Sequence, residues 1–326
     1  MPSSEWPELA YDDWKDTLHA IHMWTQIVGK IRLTTTPLLN HWWNSSLAVT
    51  PRGLTTGTMP SGPDAFQIDL DFVGHELTIV TSRGGEIALP LRSMSVADFY
   101  RGVIDSLTKL GIADPEINLV PSEVAVAVPF PEDVETRPYD RDHARMFAMA
   151  LLRNDLVFEQ FRAGFLGKAS PVQFFWGSFD LAAARFSGRR APAYAGGTPP
   201  NVHVHVMHEA YSHELISAGF WPGSAELPRA EYYAYAMPAL GGLADAAIKP
   251  DAAEWSAARG EFLLPYDAVR TSPDPEGALM AFLNSTYEVA ADLARWDRAL
   301  LEERVVCDCD PVPPVKALRR TRVRAG

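Results

Sequence analysis

Residues 66–72 read Phe-Gln-Ile-Asp-Leu-Asp-Phe, so that every second side chain is apolar. Successive side chains of a β-strand point to opposite faces, and this alternation therefore predicts a strand with one buried face. The alternation continues over residues 47–91, with Gly74 and the pair Gly84-Gly85 at the positions of turns. We therefore predict an antiparallel meander in this part of the chain.

Helical patterns lie on both sides of the meander. Apolar residues recur every three to four positions between Asp12 and Ile31. The polar face of this helix carries Lys15, His19, His22, Gln26 and Lys30. A second helix is predicted from Ser95 to Leu110, and others over residues 142–165, 170–187 and 278–303. Strands are predicted near residues 117–128, 202–207 and 232–237. We therefore predict an α+β fold, an antiparallel meander sheet packed with helices, which can form two lobes in one compact unit.

A polar stretch at residues 131–142 can separate two such lobes. We predict a lobe of helix and antiparallel sheet over residues 1–130, and a lobe of helices and strands over residues 131–303 of the same globular unit. Residues 304–326 hold six basic and two acidic residues, a net charge of +4, which leaves −16 on residues 1–303. This segment is poor in apolar side chains, and we predict a disordered basic tail.

The composition excludes several classes of function. The chain has 29 Lys and Arg against 41 Asp and Glu, a net charge of −12. A net acidic chain is a poor general binder of nucleic acid, because that affinity comes largely from neutralised phosphates. No run of about 18 apolar residues occurs, and the only cysteines are Cys307 and Cys309. We expect a cytoplasmic protein that binds neither nucleic acid nor a membrane.

Several blocks of the sequence form one pattern. They are Trp14-Lys15-Asp16-Thr17, HMWTQIVGKIRL at residues 22–33, NHWW at residues 40–43, and the segments at residues 170–192 and 209–223. Over about residues 5–300 the chain resembles an uncharacterised bacterial family, the domain of unknown function DUF5996. The resemblance implies a bacterial protein and supplies no activity. The family pattern contains His213 and Glu214.

Histidines and tryptophans of the N-terminal blocks are the first candidate site residues. A histidine can exchange a proton near neutral pH, and an indole can stack on a planar ligand. We predict His22 as a catalytic group and Trp24, His41 and Trp42 as substrate contacts. The alternatives are that His22 lies on a solvated helix face and that one of the two adjacent tryptophans packs inward.

The C-terminal blocks contribute a second set of candidates. Arg189 and Arg190 follow a predicted helix end, where two guanidinium groups can hold a carboxylate or a phosphate. The alternative is that they satisfy the last carbonyls of that helix. On the polar side of the same predicted helix, we predict Asp180 as a catalytic carboxylate. Trp176 is predicted to contact the substrate.

The segment at residues 203–214 carries four histidines. His213 and Glu214 pair an imidazole with a carboxylate for acid–base catalysis, which requires an irregular segment because adjacent strand residues point apart. His203 and His205 have a spacing that suits a metal site, with His208 nearby. The alternative, which we favour, is a solvated strand face. The sequence contains no G-x-S-x-G, H-E-x-x-H, G-x-G-x-x-G or P-loop motif, so it identifies no cofactor.

Three functional hypotheses follow from these candidates. The first is a small-molecule enzyme with an aromatic-lined pocket, histidine acid–base groups and an arginine that holds an anion. It predicts that His22, His213 and either Arg189 or Arg190 converge on one pocket. The second is a non-catalytic protein that binds a small ligand. The third is an interaction module whose basic tail binds an acidic partner.

Overall fold

The alternating residues 47–91 form the first of two antiparallel sheets. The structure is a computed structural model, and it describes residues 5–302 of the chain. The N-terminal sheet has the order β1-β2-β4-β5-β6, with β3 paired to β4. Phe66, Ile68 and Leu70 of β4 are buried, as their alternation predicts. The strands are β1 (Ala48–Thr50), β2 (Gly53–Thr55), β3 (Met59–Ser61), β4 (Asp64–Asp71), β5 (Glu76–Thr81) and β6 (Glu86–Pro90).

The second sheet comes from the C-terminal half of the chain. Its order is β11-β12-β10-β9-β8-β7, and all neighbours are antiparallel. The strands are β7 (Gln173–Phe175), β8 (Asp180–Arg190), β9 (His213–Trp221), β10 (Glu231–Met237), β11 (Glu254–Ser256) and β12 (Glu261–Pro265). The predicted α+β class is confirmed.

Three long helices and several shorter ones complete the described part of the chain. The helices are α1 (Tyr11–Thr35), α2 (Val96–Lys109), α3 (Arg141–Ala163), α4 (Val204–Ala210), α5 (Tyr266–Arg270), α6 (Pro275–Leu293) and α7 (Arg298–Leu301). At the start of α2, the hydroxyl of Ser95 accepts a hydrogen bond from the amide of Asp98, the N-cap that favours a helix here.

Helix α3 joins the two sheets. It packs against β8, β1 and β2 and also against α1 and α6, and the sheets are linked directly by an antiparallel bridge between Leu47 and Phe174. One face of the C-terminal sheet points toward α3 and α6. On this face Tyr232 donates a hydrogen bond to Asn154 of α3, and the Arg185 guanidinium lies 3.5 Å from the Phe161 ring centroid. Residues of both predicted lobes share one core, and the lobe boundary at residue 130 stays a prediction.

Several predicted elements were wrong. The segment predicted as a helix at residues 170–187 forms β7, a turn and most of β8. The predicted strand at residues 202–207 is replaced by the start of α4, and residues 117–128 form no strand. The helix predicted over residues 278–303 ends at Leu293. The predicted basic tail, with Cys307 and Cys309, lies outside the described residues.

Candidate functional site

The second face of the C-terminal sheet borders a partly open cavity of about 770 Å³. Side chains alternate across a strand, so residues two apart in β8, β9 and β10 reach this face together. In register across the three strands lie Ala182, Gly219 and Tyr233, and beside them Ala184, Ser217 and Tyr235. Four of these six side chains are small, which leaves open volume above the strands.

Gly219 also explains how the Tyr233 ring fits on this face. A Cβ atom at Gly219 would lie 2.3 Å from the Tyr233 ring and hydroxyl, far inside van der Waals contact. Tyr233 therefore lies flat over the backbone of β9. From this position its hydroxyl donates a hydrogen bond to the carboxylate of Asp180.

Three segments without long secondary structure cover the cavity. They are the short 3-10 helix at Asn40–Trp42, the loop that carries Ser122 and Glu123, and the region of α4. The amide of Glu123 donates a hydrogen bond to the carbonyl of Pro200, at 2.7 Å, and so joins two of these segments.

The backbone around the cavity is strained at several positions. Residues His41, Trp42, Glu123 and Asn201 have φ values of 57°, 60°, 62° and 56°, and all four line the cavity. Positive φ is costly for residues other than glycine and is often found at functional sites. Half of the eight such residues in the described chain therefore border this one cavity.

A polar stripe on α1 supports the cavity wall. His22, Gln26 and Lys30 are four residues apart, so they lie on one helix face. The Gln26 side chain donates to the carbonyl of Ser122 at 2.7 Å and accepts from the Ser122 amide at 3.1 Å. Lys30 Nζ donates to the Ser122 hydroxyl at 3.0 Å. Gln26 and Lys30 are buried, so the polar face expected to meet solvent instead holds the loop that carries Glu123.

Glu123 and Asp180 form a pair of carboxyl groups in the cavity wall. The Glu123 carboxyl lies against Gly177, where an added Cβ atom would come within 2.2 Å of Oε1. Burial, followed by the charge of Asp180, raises the pKa of Glu123 to about 7. No group among residues 5–302 donates a hydrogen bond to this carboxyl.

Asp180 is more tightly held than Glu123. It is buried, and it accepts hydrogen bonds from the hydroxyls of Ser178 and Tyr233. Burial raises the pKa of Asp180, and the two hydrogen bonds partly oppose that rise. The pair therefore combines one fixed carboxyl with one that has no protein partner in the described chain.

Lys30 provides the opposite charge in the same cavity. Its side chain is 4% exposed, and its Nζ lies 5.5 Å from the centroid of the Trp176 ring. Burial lowers the pKa of Lys30 to about 8. Lys30 forms no ion pair with any residue of the described chain. Arg259 also lines the cavity, but Glu231 and Glu261 pair with its guanidinium.

Four of the predicted catalytic and substrate-contact residues line the cavity, namely His41, Trp42, Trp176 and Asp180, and so does His203 of the possible metal pair. The Trp176 ring packs on Gly29 of α1, and its indole N–H donates to the carbonyl of Ser45 at 2.7 Å. His41 Nδ1 lies 3.2 Å from the carbonyl of Ala210, and burial lowers the pKa of His41.

His22 and Trp24 lie behind the cavity wall. His22 Nε2 donates to the carbonyl of Gly177 at 2.9 Å, and burial lowers the pKa of this imidazole to about 4. The group is therefore neutral at neutral pH and positions the turn before Asp180. Trp24 is buried between Phe99 and Tyr139, with ring centroids at 5.0 and 5.2 Å.

The remaining predicted residues lie at the edge of the sheet. His213 contacts the edge of the His41 ring, with centroids 5.8 Å apart, and does not line the cavity. Glu214 accepts hydrogen bonds from Arg189, which also donates to the carbonyl of Ala294 at 2.7 Å near the end of α6. Arg190 is exposed. The predicted convergence of His22, His213 and an arginine on one pocket was therefore wrong.

Lys30, Glu123 and Tyr233 were missed as site residues. Lys30 lies inside the block at residues 22–33, which was the one available signal. Glu123 lies in an irregular loop, and its neighbours come from residues more than 50 positions away. Within residues 5–302, no group of three His, Cys, Asp or Glu residues has an arrangement suited to a metal ion. The same residues include no helix of the length and hydropathy needed to cross a membrane.

The fold and the site define an α+β protein in which one face of an antiparallel sheet borders a cavity with unpaired acid and base groups. The chain belongs to the family of unknown function DUF5996, whose model matches residues 6–303. The resemblance of the sequence blocks is thereby confirmed. No curated protein and no solved structure matches the chain significantly.

Proposed function

We propose that this protein is an enzyme that transfers protons to or from a small molecule bound in the cavity. One observation carries the proposal. The Glu123 carboxyl lies in the cavity wall without a protein partner in the described chain, on a backbone with positive φ, beside the buried Asp180. Two interacting carboxyl groups cannot ionise independently, and such pairs commonly divide the roles of acid and base.

Glu123 is the proton-transfer group in this proposal. A pKa of about 7 leaves comparable amounts of its acid and base forms at neutral pH, the condition under which general acid–base catalysis is most effective. Asp180 stabilises charge and is held in place by Ser178 and Tyr233. A small-molecule enzyme is also the function expected from the sequence. The acid–base role that the sequence analysis gave to His22 and His213 is here assigned to Glu123.

The cavity accommodates a compact aromatic or partly apolar substrate. Its volume of about 770 Å³ falls within the range of roughly 300–1,000 Å³ that is usual for small-molecule sites. Trp42, Trp176 and Trp221 line it and offer rings on which a planar molecule can stack. The proposal places the enzyme in a bacterial cytoplasm, as its family resemblance and its use of only two cysteines suggest.

The test is a comparison of wild-type protein with Glu123→Gln in a pooled extract of small metabolites. Mass spectrometry before and after incubation identifies compounds that are consumed or formed. We expect the rate to fall by about 10²- to 10⁴-fold in Glu123→Gln, since this is the usual contribution of a general acid or base. Glu132→Gln is the matched control, because Glu132 is exposed and lies away from the cavity.

Two results would contradict the proposal. The first is that the wild-type protein changes no compound in the extract, and the second is that Glu123→Gln changes the same compounds at the same rates. In the first case, a compound that stays bound unchanged through native mass spectrometry would support the second hypothesis, a non-catalytic protein that binds a small ligand.

A further inference from the structure

Lys30 is a buried cation without a counterion in the described chain. Its exposed fraction is 4%, yet it lines the cavity. An ammonium group has three N–H donors, and among the described residues only the Ser122 hydroxyl accepts one of them. Burying an unpaired charge is costly unless another group compensates it. An anion in the cavity would provide that compensation.

We infer that Lys30 holds the carboxylate of an aromatic monocarboxylate substrate in this cavity. The inference rests on the proposed function, because it treats the cavity as the substrate site. It concerns a different residue from Glu123, however, and can be tested by binding alone.

The charges in the cavity indicate a single negative charge on the ligand. Lys30 is one point charge, and the guanidinium of Arg259 is already paired with Glu231 and Glu261. A dianionic phosphate would normally require more than one free cation or several backbone donors. A monocarboxylate needs one ammonium group and one or two donors, which Lys30 can supply with Ser122 beside it.

The residues around Lys30 indicate that the rest of the ligand, beyond its carboxylate, is aromatic. The Trp176 ring lies next to the ammonium group, and Trp42 and Phe175 line the same cavity. Stacked or edge-on ring contacts stabilise aromatic pairs beyond the effect of burial alone, so an aromatic ring would be preferred over an equally large polar group.

The position of Lys30, the proposed anchor of the carboxylate, is also linked to that of Glu123, the proposed acid–base group. Lys30 bonds to Ser122, and Glu123 is the next residue along the chain. A carboxylate held at Lys30 therefore lies beside the loop that carries Glu123. The anchor positions the substrate, while Glu123 exchanges the proton.

The experiment measures binding of benzoate, phenylacetate and indole-3-acetate to the full chain, each against its neutral primary amide. Calorimetry and quenching of tryptophan fluorescence provide the affinities. We expect at least one carboxylate to bind more tightly than its amide, and Lys30→Met to weaken that binding roughly 10- to 100-fold, as for the loss of a charge-assisted hydrogen bond.

Lys168→Met is the matched control. Lys168 also lies over a tryptophan, with Nζ 5.2 Å from the Trp43 ring centroid, but it is exposed and does not line the cavity. We expect Lys168→Met to bind the carboxylate as wild type does. The inference is wrong if no carboxylate binds better than its amide, or if Lys30→Met binds it as tightly as wild type.

A second measurement covers the case in which Lys30→Met does not fold. In Glu123→Gln, carboxylate affinity should fall by about tenfold per pH unit above about pH 8, because burial sets the pKa of Lys30 near 8. The other titratable groups that line the cavity are His41, Asp180, His203, Tyr211, Tyr233, Tyr235, Arg259 and Glu261. Burial keeps His41 neutral and the three tyrosines protonated in this range. A flat pH profile would overturn the inference.

Failure of this inference can be distinguished from failure of the proposed function. If Glu123→Gln abolishes turnover but Lys30→Met binds the carboxylate as wild type does, the proposed substrate class is wrong and the enzyme proposal stands. If Lys30 governs carboxylate binding but Glu123→Gln turns over as wild type does, the anion site stands and the catalytic role of Glu123 is wrong.

Discussion

Gly29→Ala is expected to destabilise this protein although the substitution lies inside a helix. In an exposed helix interior, Gly→Ala stabilises by about 0.8–1.0 kcal/mol, because alanine has the higher helix propensity. At Gly29, however, the added methyl group would lie 2.1 Å from Cδ1 of Trp176. The indole ring would have to move by about 1.3 Å to reach the 3.4 Å at which ordinary van der Waals contact begins.

The size of the destabilisation expected for Gly29→Ala follows from the contacts that a movement of the Trp176 ring disturbs. Overpacking a core typically costs about 1–3 kcal/mol. The indole N–H of Trp176 donates to the carbonyl of Ser45 at 2.7 Å, and losing that hydrogen bond costs about 0.5–1.5 kcal/mol more. After subtraction of the gain in helix propensity, the net destabilisation is roughly 0.5–3.5 kcal/mol.

The assay is urea-induced unfolding followed by circular dichroism, with Gly102→Ala as the matched control. Gly102 lies inside α2, and a methyl group there would meet only Leu89 at 3.6 Å. Gly102→Ala should therefore stabilise by up to about 1 kcal/mol. If Gly29→Ala is as stable as wild type or more stable, the close packing of Trp176 on α1 is wrong.

Two further predictions concern Glu123 and Arg189. The folded-state pKa of Glu123 is raised from 4.5 to about 7, so its contribution to stability is present below about pH 4.5 and is lost as the pH rises through 7. As the pH rises from 4.5 to 8, the unfolding free energy of Glu123→Gln should therefore increase relative to that of wild type by up to roughly 3 kcal/mol. Identical pH profiles of the unfolding free energy for the two proteins would contradict this prediction. Arg189→Ala should cost about 1 kcal/mol, because the side chain pairs with Glu214 and the carbonyls near the end of α6 while half exposed. Arg189→Ala should leave carboxylate binding unchanged in the calorimetric assay. A loss of binding would show that Arg189 contributes to the ligand site.

The elements that sequence reasoning predicted well are those whose signals are local. The strands over residues 47–91 alternate because one face is buried, and the helices near Ser95 and residue 142 begin at recognisable caps. The segment at residues 170–187 was misread for a physical reason. Leu181, Ala182 and Ala183 of β8 are all buried, because one face of this strand packs on α3 and the other lies beneath the covered cavity. A continuous apolar run does not distinguish such a strand from a buried helix.

The candidate site was predictable only in part for a related reason. Aromatic residues near the family blocks pointed to His41, Trp42 and Trp176, which do line the cavity. The burial of Lys30 depends on a loop almost 100 residues later in the chain, and Gly177 and Asp180, the neighbours of the Glu123 carboxyl, are also remote from it in sequence. The hydrophobic periodicity of a sequence gives no information about contacts between residues so far apart in the chain. A polar helix face that binds a buried loop therefore looks the same in sequence as one that meets solvent.

The C-terminal sheet shows why the site lies where it does. Its two faces consist of alternate residues of the same strands, yet they carry different classes of side chain. The face toward α3 and α6 has Leu181, Phe220 and Tyr232 in register and is filled by packing. The opposite face has Ala182 and Gly219 at the neighbouring positions, with Tyr233 flat beside them. Larger side chains there would bury more apolar area and stabilise the protein further. The small ones instead leave the volume in which Glu123, Asp180 and Lys30 face a common space, and a ligand that fills this volume would recover the contacts that the small residues forgo.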